Sequence, residues 1–427
     1  MQEKFSSANE LVDHLFRHEA GKMVAVLTRI FGMHNLEMAE DVVQEAFLKA
    51  AQTWKFNMLP ENPAAWLMQV AKNKALDIIR REQRFNHLSA EVSAQLQLET
   101  DNTIEQFFLD TEIADSQLQL IFACCHPSLK EEDQVALTLK TISGFSVAEI
   151  AKALLAQESA VQKRLYRAKQ FISSQNIQLE IPVGKDLQSR LDTVYTILYL
   201  IFNEGYNSSK AGELIRKDLC AEAMRLCLLL SQHKTGDQPL TYALLSLMCF
   251  HAARFESRLD ENNSMILLAQ QDRTKWDKEL IKRGYYYLNK SSEGNHLSVY
   301  HIESAIAAEH CLATTFAETN FDRLLSLYDL LWQMKPTPVV QLNRAVVLSY
   351  TGQTQNAITL LLSIENIDTL LQTQYMFDAV LGELYARNNE PKQAEDHFEK
   401  AIKLTPSDTE KKLLKEKIAA VRSVQWS

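Results

Sequence analysis

The chain has 427 residues, of which 46% are hydrophobic and 23% are charged, so it can form two to four domains with substantial cores. Its formal net charge of -9 argues against non-specific coating of nucleic acid, and its 11 Gly and 9 Pro are too few for a parallel sheet with many tight turns. No apolar run reaches the ~18 residues that a membrane span needs, and the N-terminus shows no secretory pattern. The six Cys form no C-x-x-C pair, which predicts reduced thiols. We therefore expect an all-α cytoplasmic protein with no membrane partner.

Residues 36 to 54 have the period of a helix with one buried face. The apolar positions share one stripe: Ala39, Val42, Val43, Ala46, Phe47 and Ala50. The opposite face carries a polar and mostly acidic stripe: Glu37, Glu40, Asp41, Gln44 and Glu45. Like charges one helical turn apart cost a few tenths of a kcal/mol per pair. A basic partner would remove this cost, so the stripe predicts a binding surface.

A second helix is predicted to begin at Asn62 as N-cap, with Pro63 at its first position. It buries Trp66 and Leu67, and its other face is polar and largely basic: Asn73, Lys74, Asp77, Arg80, Arg81 and Arg84. The loop that precedes it, residues 55 to 61, is bracketed by Trp54 and Trp66. We expect both Trp rings in the core, which leaves Phe56 and Asn57 as the contact residues of the loop.

An acidic segment separates this unit from a second helical unit over about 112 to 173. Residues 86 to 133 contain ten acidic residues against one basic residue, Lys130. In the second unit, Ser128 with Glu131 and Ser146 with Glu149 have the form of capping boxes and predict two helix starts.

A short helix over 147 to 154, a turn over 155 to 158 and a helix capped by Ser159 that extends to about Ile172 have helix-turn-helix spacing. The outer face of the last helix is cationic and hydrogen-bonding: Ser159, Gln162, Lys163, Arg164, Tyr166, Arg167 and Gln170. Lys and Arg neutralise phosphates, and Arg and Gln also pair with base edges in the major groove. By itself this spacing fits DNA binding and an ordinary helical hairpin about equally.

The C-terminal part of the chain contains a repeat. Leu381, Gly382, Tyr385, Ala394, Phe398, Ala401 and Pro406 have the spacing of a tetratricopeptide (TPR) unit. An earlier copy, Leu342, Ala345, Leu348, Ala357, Leu361 and Ile364, is offset by 37 residues. Because two repeats cannot form a stable solenoid, the apolar helices upstream, over 191 to 203, 214 to 230, 240 to 255 and 302 to 316, are expected to pack with them.

Two other groups of residues invite a chemical interpretation. Cys124, Cys125 and His126 have no second Cys/His pair at ligand spacing, so we expect buried thiols and neither a metal nor another cofactor. A set of charged residues, Glu204, Asp218, Arg254, Asp272 and Arg273, either forms a polar pocket for a ligand or a hydrolytic reaction, or fixes helix packing through ion pairs. Packing is the favoured interpretation, and because catalytic motifs are lacking we expect no enzyme.

Three stretches in chain order resemble the extracytoplasmic-function (ECF) branch of the bacterial sigma-70 family. They are Ala39 to Phe47 (AEDVVQEAF), Asn62 to Leu67 (NPAAWL) with its continuation to Arg81, and Ser146 to Ala151 (SVAEIA) with Val161 to Lys169 (VQKRLYRAK). The stretches Phe122 to Pro127 and Leu268 to Asp277 extend the resemblance to the subgroup with a long TPR-like extension.

The resemblance implies a sigma-2 domain over 8–84, an acidic linker over 85–111, a sigma-4 helix-turn-helix domain over 112–175 and a TPR-like helical extension over 185–427. It implies that Glu40, Asp41, Gln44 and Glu45 bind core RNA polymerase, whose largest catalytic subunit clamp and flap are the expected contacts. The promoter -10 element would be read by Asn57, Asn73, Lys74, Asp77, Arg80, Arg81 and Arg84. The -35 element would be read by the seven outer-face residues from Ser159 to Gln170.

The extension is then expected to regulate the sigma domains, through a protein or small-molecule ligand or by docking on them. One alternative is a TPR-type interaction scaffold, or a transcriptional regulator whose helix-turn-helix does not bind polymerase. Another is an enzyme with its site around Asp272.

Overall fold

The computed structural model describes residues 8–54, 59–85, 109–154, 156–175, 177, 179–182, 184–206, 215–260, 266–405 and 408–424. No residue in these ranges lies in a β-strand, so the predicted all-α class is confirmed. The chain divides into two compact units, residues 1–237 and 238–427. The predicted acidic linker lies almost entirely outside the described residues.

The first unit contains nine described α-helices. They are α1 (Ala8–Phe31), α2 (Leu36–Thr53), α3 (Pro63–Phe85), α4 (Asp110–Cys124), α5 (Glu131–Thr141), α6 (Val147–Ala153), α7 (Glu158–Gln175), α8 (Lys185–Tyr206) and α9 (Lys217–Gln232). Helices α1, α2 and α3 pack together, and α4 packs along α1. Helices α5, α6 and α7 form a second group, on which α8 rests.

The α2 helix buries the apolar stripe that its period predicts, from Ala39 to Ala50. At the start of α3, the backbone N–H of Ala65 donates to Asn62 Oδ1 at 3.0 Å, which confirms the predicted N-cap. Trp54 is buried and Trp66 is half-buried, and their rings meet edge to face at 5.2 Å. The two Trp residues that flank the loop therefore pack against each other.

A backbone-to-backbone contact joins α1 to the end of α5. Gly21 lies in the middle of α1, and a Cβ built on it would lie 1.9 Å from the carbonyl oxygen of Ile142, just after α5. Only Gly allows this approach.

Of the three other predicted caps, one is confirmed and two are wrong. Ser146 and Glu149 form both bonds of a capping box, with the Ser146 N–H donating to Glu149 Oε2 at 2.8 Å and the Glu149 N–H donating to Ser146 Oγ at 3.1 Å. Ser128 caps nothing, because its N–H donates to His126 Nδ1 and α5 begins later, after Lys130. Ser159 is not an N-cap either, because α7 begins one residue earlier, at Glu158.

The second unit is a run of helical hairpins. Its described α-helices are α10 (Pro239–Ala252), α11 (Lys278–Ser291), α12 (Val299–Leu312), α13 (Phe321–Met334), α14 (Pro338–Tyr350), α15 (Thr354–Leu362), α16 (Ile367–Thr373), α17 (Tyr375–Arg387), α18 (Pro391–Leu404) and α19 (Asp408–Val424). From α12 onward consecutive helices pack on each other, except that α15 packs on α17, beyond the short helix α16. The sequence patterns did not single out α11 and α13.

The predicted repeat corresponds to the hairpins α14–α15 and α17–α18. Of its apolar positions, Leu342, Ala345, Ala357, Leu361, Leu381, Ala394, Phe398 and Ala401 are buried, and Leu348 and Tyr385 are partly buried. The short helix α16 lies between the two hairpins and accounts for a spacing longer than that of a standard TPR. This region fits a TPR-like helical domain.

Candidate nucleic-acid interface

The polar face of α2 is exposed except at one position. Glu37, Asp41, Gln44 and Glu45 are exposed, whereas the Glu40 side chain keeps 13% of its accessible surface. Lys169 of α7 covers Glu40, and its Nζ donates to Glu40 Oε2 at 2.6 Å and lies 4.0 Å from Glu37 Oε1. The predicted exposure of Glu40 is thus wrong in this arrangement, because a cation 129 residues away pairs with it.

The polar face of α3 carries the predicted side chains of the -10 group. Asn73, Lys74, Asp77 and Arg81 are exposed and Arg80 is half-buried. Lys74 Nζ lies 2.6 Å from Glu45 Oε2 of α2, so the acidic and basic faces of these two helices meet along one edge. Arg84 lies on α3, but its side chain is outside the described residues, and so are Phe56 and Asn57.

The outer face of α7 is built as the helix-turn-helix pattern predicts. Val161, Leu165, Ala168 and Ile172 are buried. The opposite face exposes Ser159, Gln162, Lys163, Tyr166, Arg167 and Gln170. Arg164 is the exception, because its side chain is 16% exposed and pairs with Glu132 at 2.6 Å.

Arg167 is held in place by α5. Its Nη2 donates to Asp133 Oδ1 at 2.8 Å, and the carboxylate of Asp133 is 6% exposed. This bond and the nearby carboxylate charge raise the pKa of Arg167 above its usual value. The guanidinium is therefore oriented on a surface that is otherwise open to solvent.

A half-buried carboxylate joins three parts of the first unit. Glu149 Oε1 accepts from Arg17 Nη1 of α1 at 3.4 Å and also from Arg216 Nη1, which precedes α9. Glu149 belongs to α6, and the Arg216 side chain is 2% exposed. Arg29 of α1 adds a further bond to Glu112 Oε2 of α4 at 2.7 Å. The sequence patterns gave no sign of these pairings.

The charged set around Asp272 does not come together as one pocket within either unit. Glu204 is buried in the first unit, the side chain of Asp218 is outside the described residues, and Arg254, Asp272 and Arg273 belong to the second unit. Asp272 is exposed, and its Oδ1 accepts from the N–H of Thr274 at 3.0 Å, so it caps a short helical turn.

Arg254 and Arg273 flank the buried Trp276, with their guanidinium carbons 5.5 Å and 4.9 Å from its ring. Burial and the nearby guanidinium groups lower the pKa of His251 to about 3 and that of His310 to about 4. This part of the second unit is therefore a packed cationic cluster around Trp276.

Cys124 and Cys125 are buried free thiols, and burial raises the pKa of Cys124 to about 12. Within the described ranges, no three His, Cys, Asp or Glu side chains converge to hold a metal ion. In the same part of the chain, no helix combines the length and the apolarity that a membrane crossing requires.

Three protein families match the chain in succession. Sigma-70 region 2 matches residues 15–85, Sigma-70 region 4 matches residues 119–172, and a family of unknown function (DUF6596) matches residues 190–292. No solved structure matches the chain significantly.

Individual relatives cover either most of the chain or about a third of it. An uncharacterized protein of Rhizobium meliloti (strain 1021) is 32% identical over 387 residues, which covers 91% of this chain and 90% of the relative. The ECF RNA polymerase sigma factor SigW of Bacillus subtilis (strain 168) is 26% identical over 161 residues, covering 36% of this chain and 82% of SigW. The ECF RNA polymerase sigma-E factor of Haemophilus influenzae is 26% identical over 157 residues, covering 36% of this chain and 80% of that factor. The chain therefore belongs to the sigma-70 family as an ECF-type sigma factor that carries a C-terminal extension.

Proposed function

We propose that the chain is a promoter-specificity subunit that binds core RNA polymerase, acts in the cytoplasm, and is regulated by its own C-terminal extension. Sigma factors are transcription initiation factors rather than enzymes. The proposal rests on one observation. Helices α2, α3 and α7 each bury an apolar face, and their outer faces are acidic on α2 and basic on α3 and α7. Opposite charges on separate helices suit two partners, one cationic and one nucleic acid.

The acidic face of α2 is assigned to the polymerase. Asp41, Gln44 and Glu45 are exposed and can contact a partner. Glu40 becomes accessible as well once Lys169 no longer pairs with it. The carboxylates already repel one another along the helix, so a basic clamp surface gains attraction and also relieves that repulsion.

The basic faces are assigned to promoter DNA. On α7, Lys163 is the exposed cation for phosphate, and Arg167 and Gln170 have the donors that read base edges. On α3 and the loop before it, the -10 group consists of Asn57, Asn73, Lys74, Asp77, Arg80, Arg81 and Arg84. The proposed domains are 8–84 for region 2, 85–111 for the linker, 112–175 for region 4 and 185–427 for the extension.

The extension is assigned a regulatory role because its first helices hold the sigma regions together. Arg216, next to α9, pairs with Glu149 of region 4, which in turn bonds Arg17 of region 2. In this packed arrangement Lys169 of α7, the proposed DNA-reading helix, forms an ion pair with Glu40 on the proposed polymerase-binding face of α2. We propose that this is a resting state and that binding to polymerase separates the two regions.

Run-off transcription with purified core polymerase, on promoters recovered by crosslinking to this protein, tests the main proposal. Replacing Asp41 with Lys should abolish core binding and transcription. Replacing Glu279 with Lys, which makes the same charge change at an exposed site on α11, should leave both unchanged. Full transcription by the Asp41 variant, or none by the wild-type protein, contradicts the assignment.

The resting state is tested separately, by core binding in the absence of DNA. Replacing Lys169 with Ala frees Glu40 and should tighten binding several-fold. Replacing Lys163 with Ala removes the same charge from the same helix but touches no α2 carboxylate among the described contacts, so it should have no effect. Equal affinities for the two variants would show that the Lys169 contact does not oppose polymerase binding.

A further inference from the structure

A cavity of about 370 Å³ lies where region 4 meets the extension in the first unit. The loop between α4 and α5 contributes His126 and Ser128, the end of α7 contributes Gln175, and Arg190 comes from α8. Two apolar side chains, Phe171 and Ile177, complete its described wall, and Glu180 lies exposed at the rim. The family assignment gives this cavity no role.

Arg190 is a buried cation that forms no ion pair within 4 Å of a described carboxylate, although the charges of Asp186 and Glu180 act on it from further away. Its side chain lines the cavity although the residue is only 9% exposed. Its Nη1 donates to the carbonyl oxygen of Phe122 at 3.3 Å, while its buried Nε has no hydrogen-bond partner. Burial lowers its pKa, but an Arg stays protonated at any physiological pH. Since no carboxylate contacts the guanidinium directly and its Nε has no partner, an anion bound in the cavity would supply a direct contact that it lacks.

His126 offers a second donor to the same space. The N–H of Ser128 donates to His126 Nδ1 at 3.3 Å, so the ring carries its proton on Nε2. Burial and the charge of Arg190 lower the pKa of His126, so the ring is neutral near pH 7. No described residue accepts a hydrogen bond from Nε2, which leaves it available to a ligand.

We propose that this cavity binds a small monocarboxylate, whose carboxylate pairs with Arg190 and accepts a hydrogen bond from His126 and whose apolar part packs on Phe171 and Ile177. The planar guanidinium fork matches a planar carboxylate. Glu180, which lines the cavity, and Asp186, whose charge acts on both Arg190 and His126, add negative charge that disfavours a dianion such as phosphate more than a monoanion. The inference does not depend on the proposed sigma activity, because it concerns binding to the isolated full-length chain.

Isothermal titration calorimetry of the full-length protein tests the inference, with benzoate and inorganic phosphate as probes at matched ionic strength. We expect saturable benzoate binding, and phosphate binding weaker by about tenfold or more. Arg190→Met should weaken benzoate binding by at least about tenfold, as expected for loss of a charge-assisted bidentate contact. Arg283→Met removes an exposed Arg of the second unit and is the matched control, with unchanged affinity expected.

A second variant covers the case in which Arg190→Met does not fold. His126→Phe keeps an aromatic ring next to Phe171 but removes the Nε2 donor, and it should weaken benzoate binding severalfold. The proposal is overturned if wild-type protein shows no saturable benzoate binding, or if a folded Arg190 or His126 variant binds benzoate as the wild type does. Tighter binding of phosphate than of benzoate would overturn the assignment of a carboxylate.

Discussion

Replacing Gly21 with Ala is expected to separate region 2 from region 4 without unfolding either. The new Cβ would lie 1.9 Å from the carbonyl oxygen of Ile142, about 1.5 Å short of the 3.4 Å at which ordinary van der Waals contact begins. Its next neighbours are the carbonyl carbon and Cα of Ile142, at 2.7 and 3.2 Å. All three atoms belong to the backbone, so no change of side-chain rotamer relieves the overlap.

The size of the effect follows from the packing contact alone. Ala is favoured over Gly within a helix by about 1 kcal/mol, but α1 is helical in both the packed and the separated state, so this gain cancels. Forcing an extra methyl into a packed contact costs about 1–3 kcal/mol, and a backbone clash belongs at the upper end of that range. A loss of about 3 kcal/mol in the packing between regions lowers the ratio of packed to separated molecules about 150-fold.

Amide hydrogen exchange and core-polymerase affinity measure the two consequences. Peptides from α1 and from 131–145 should exchange faster in the Gly21 variant, and core polymerase should bind it more tightly. Asp13→Ala, at an exposed position of α1, raises helix propensity without meeting Ile142 and should change neither. Unchanged exchange in the Gly21 variant would refute the packing contact, and faster exchange without tighter binding would refute its role in opposing polymerase.

Three further predictions concern the second unit and the DNA-binding face. Because His251 and His310 have pKa values of about 3 and about 4 when folded, against 6.5 ordinarily, the unfolded chain binds more protons below pH 6.5. Stability should therefore fall with decreasing pH between about 6.5 and 4, by about 1.4 kcal/mol per pH unit for each ring, and a flat urea midpoint across that window would contradict the burial. Lys163→Ala should weaken DNA binding across sequences and reduce the slope of log K against log salt by about 1, as anisotropy titrations at several salt concentrations can test. Gly382→Ala places a Cβ 2.6 Å from the Phe398 ring and should destabilise the hairpin by about 1–3 kcal/mol, so an unchanged denaturation midpoint would argue against that packing.

Local patterns predicted the helices and their faces well, because these features depend on neighbours three or four residues apart. The stripe from Ala39 to Ala50 is buried as its period requires. Asn62 and the Ser146–Glu149 pair cap helices, since a cap needs only one turn of sequence. The cap predicted at Ser128 is wrong because a serine side chain suits a loop position as well as an N-cap position.

Pairings between distant segments could not be predicted in the same way. Glu149 was recognised for the capping bond that its Oε2 accepts, but its Oε1 accepts from Arg17, which lies 132 residues away. Likewise, Arg190 has no motif around it, and its cavity exists only because three separate segments meet there. Such contacts leave no periodic signal, since neither partner constrains the residues next to it.

The pairing of Lys169 with Glu40 follows, however, from the same charge segregation that the sequence displays. A chain that needs an acidic face for a basic polymerase surface and a basic face for DNA carries two surfaces that attract each other. Only a contact between the regions, such as that of Gly21 with Ile142, decides where along those faces they meet. Asp41, Gln44 and Glu45 remain exposed while Glu40 is paired with Lys169. If α2 is the polymerase-binding surface, as proposed, polymerase would contact these three residues first and then displace Lys169. Under the proposed assignments, release of Lys169 would at the same time return a cation to α7, and one ion pair would couple binding to polymerase with binding to the promoter.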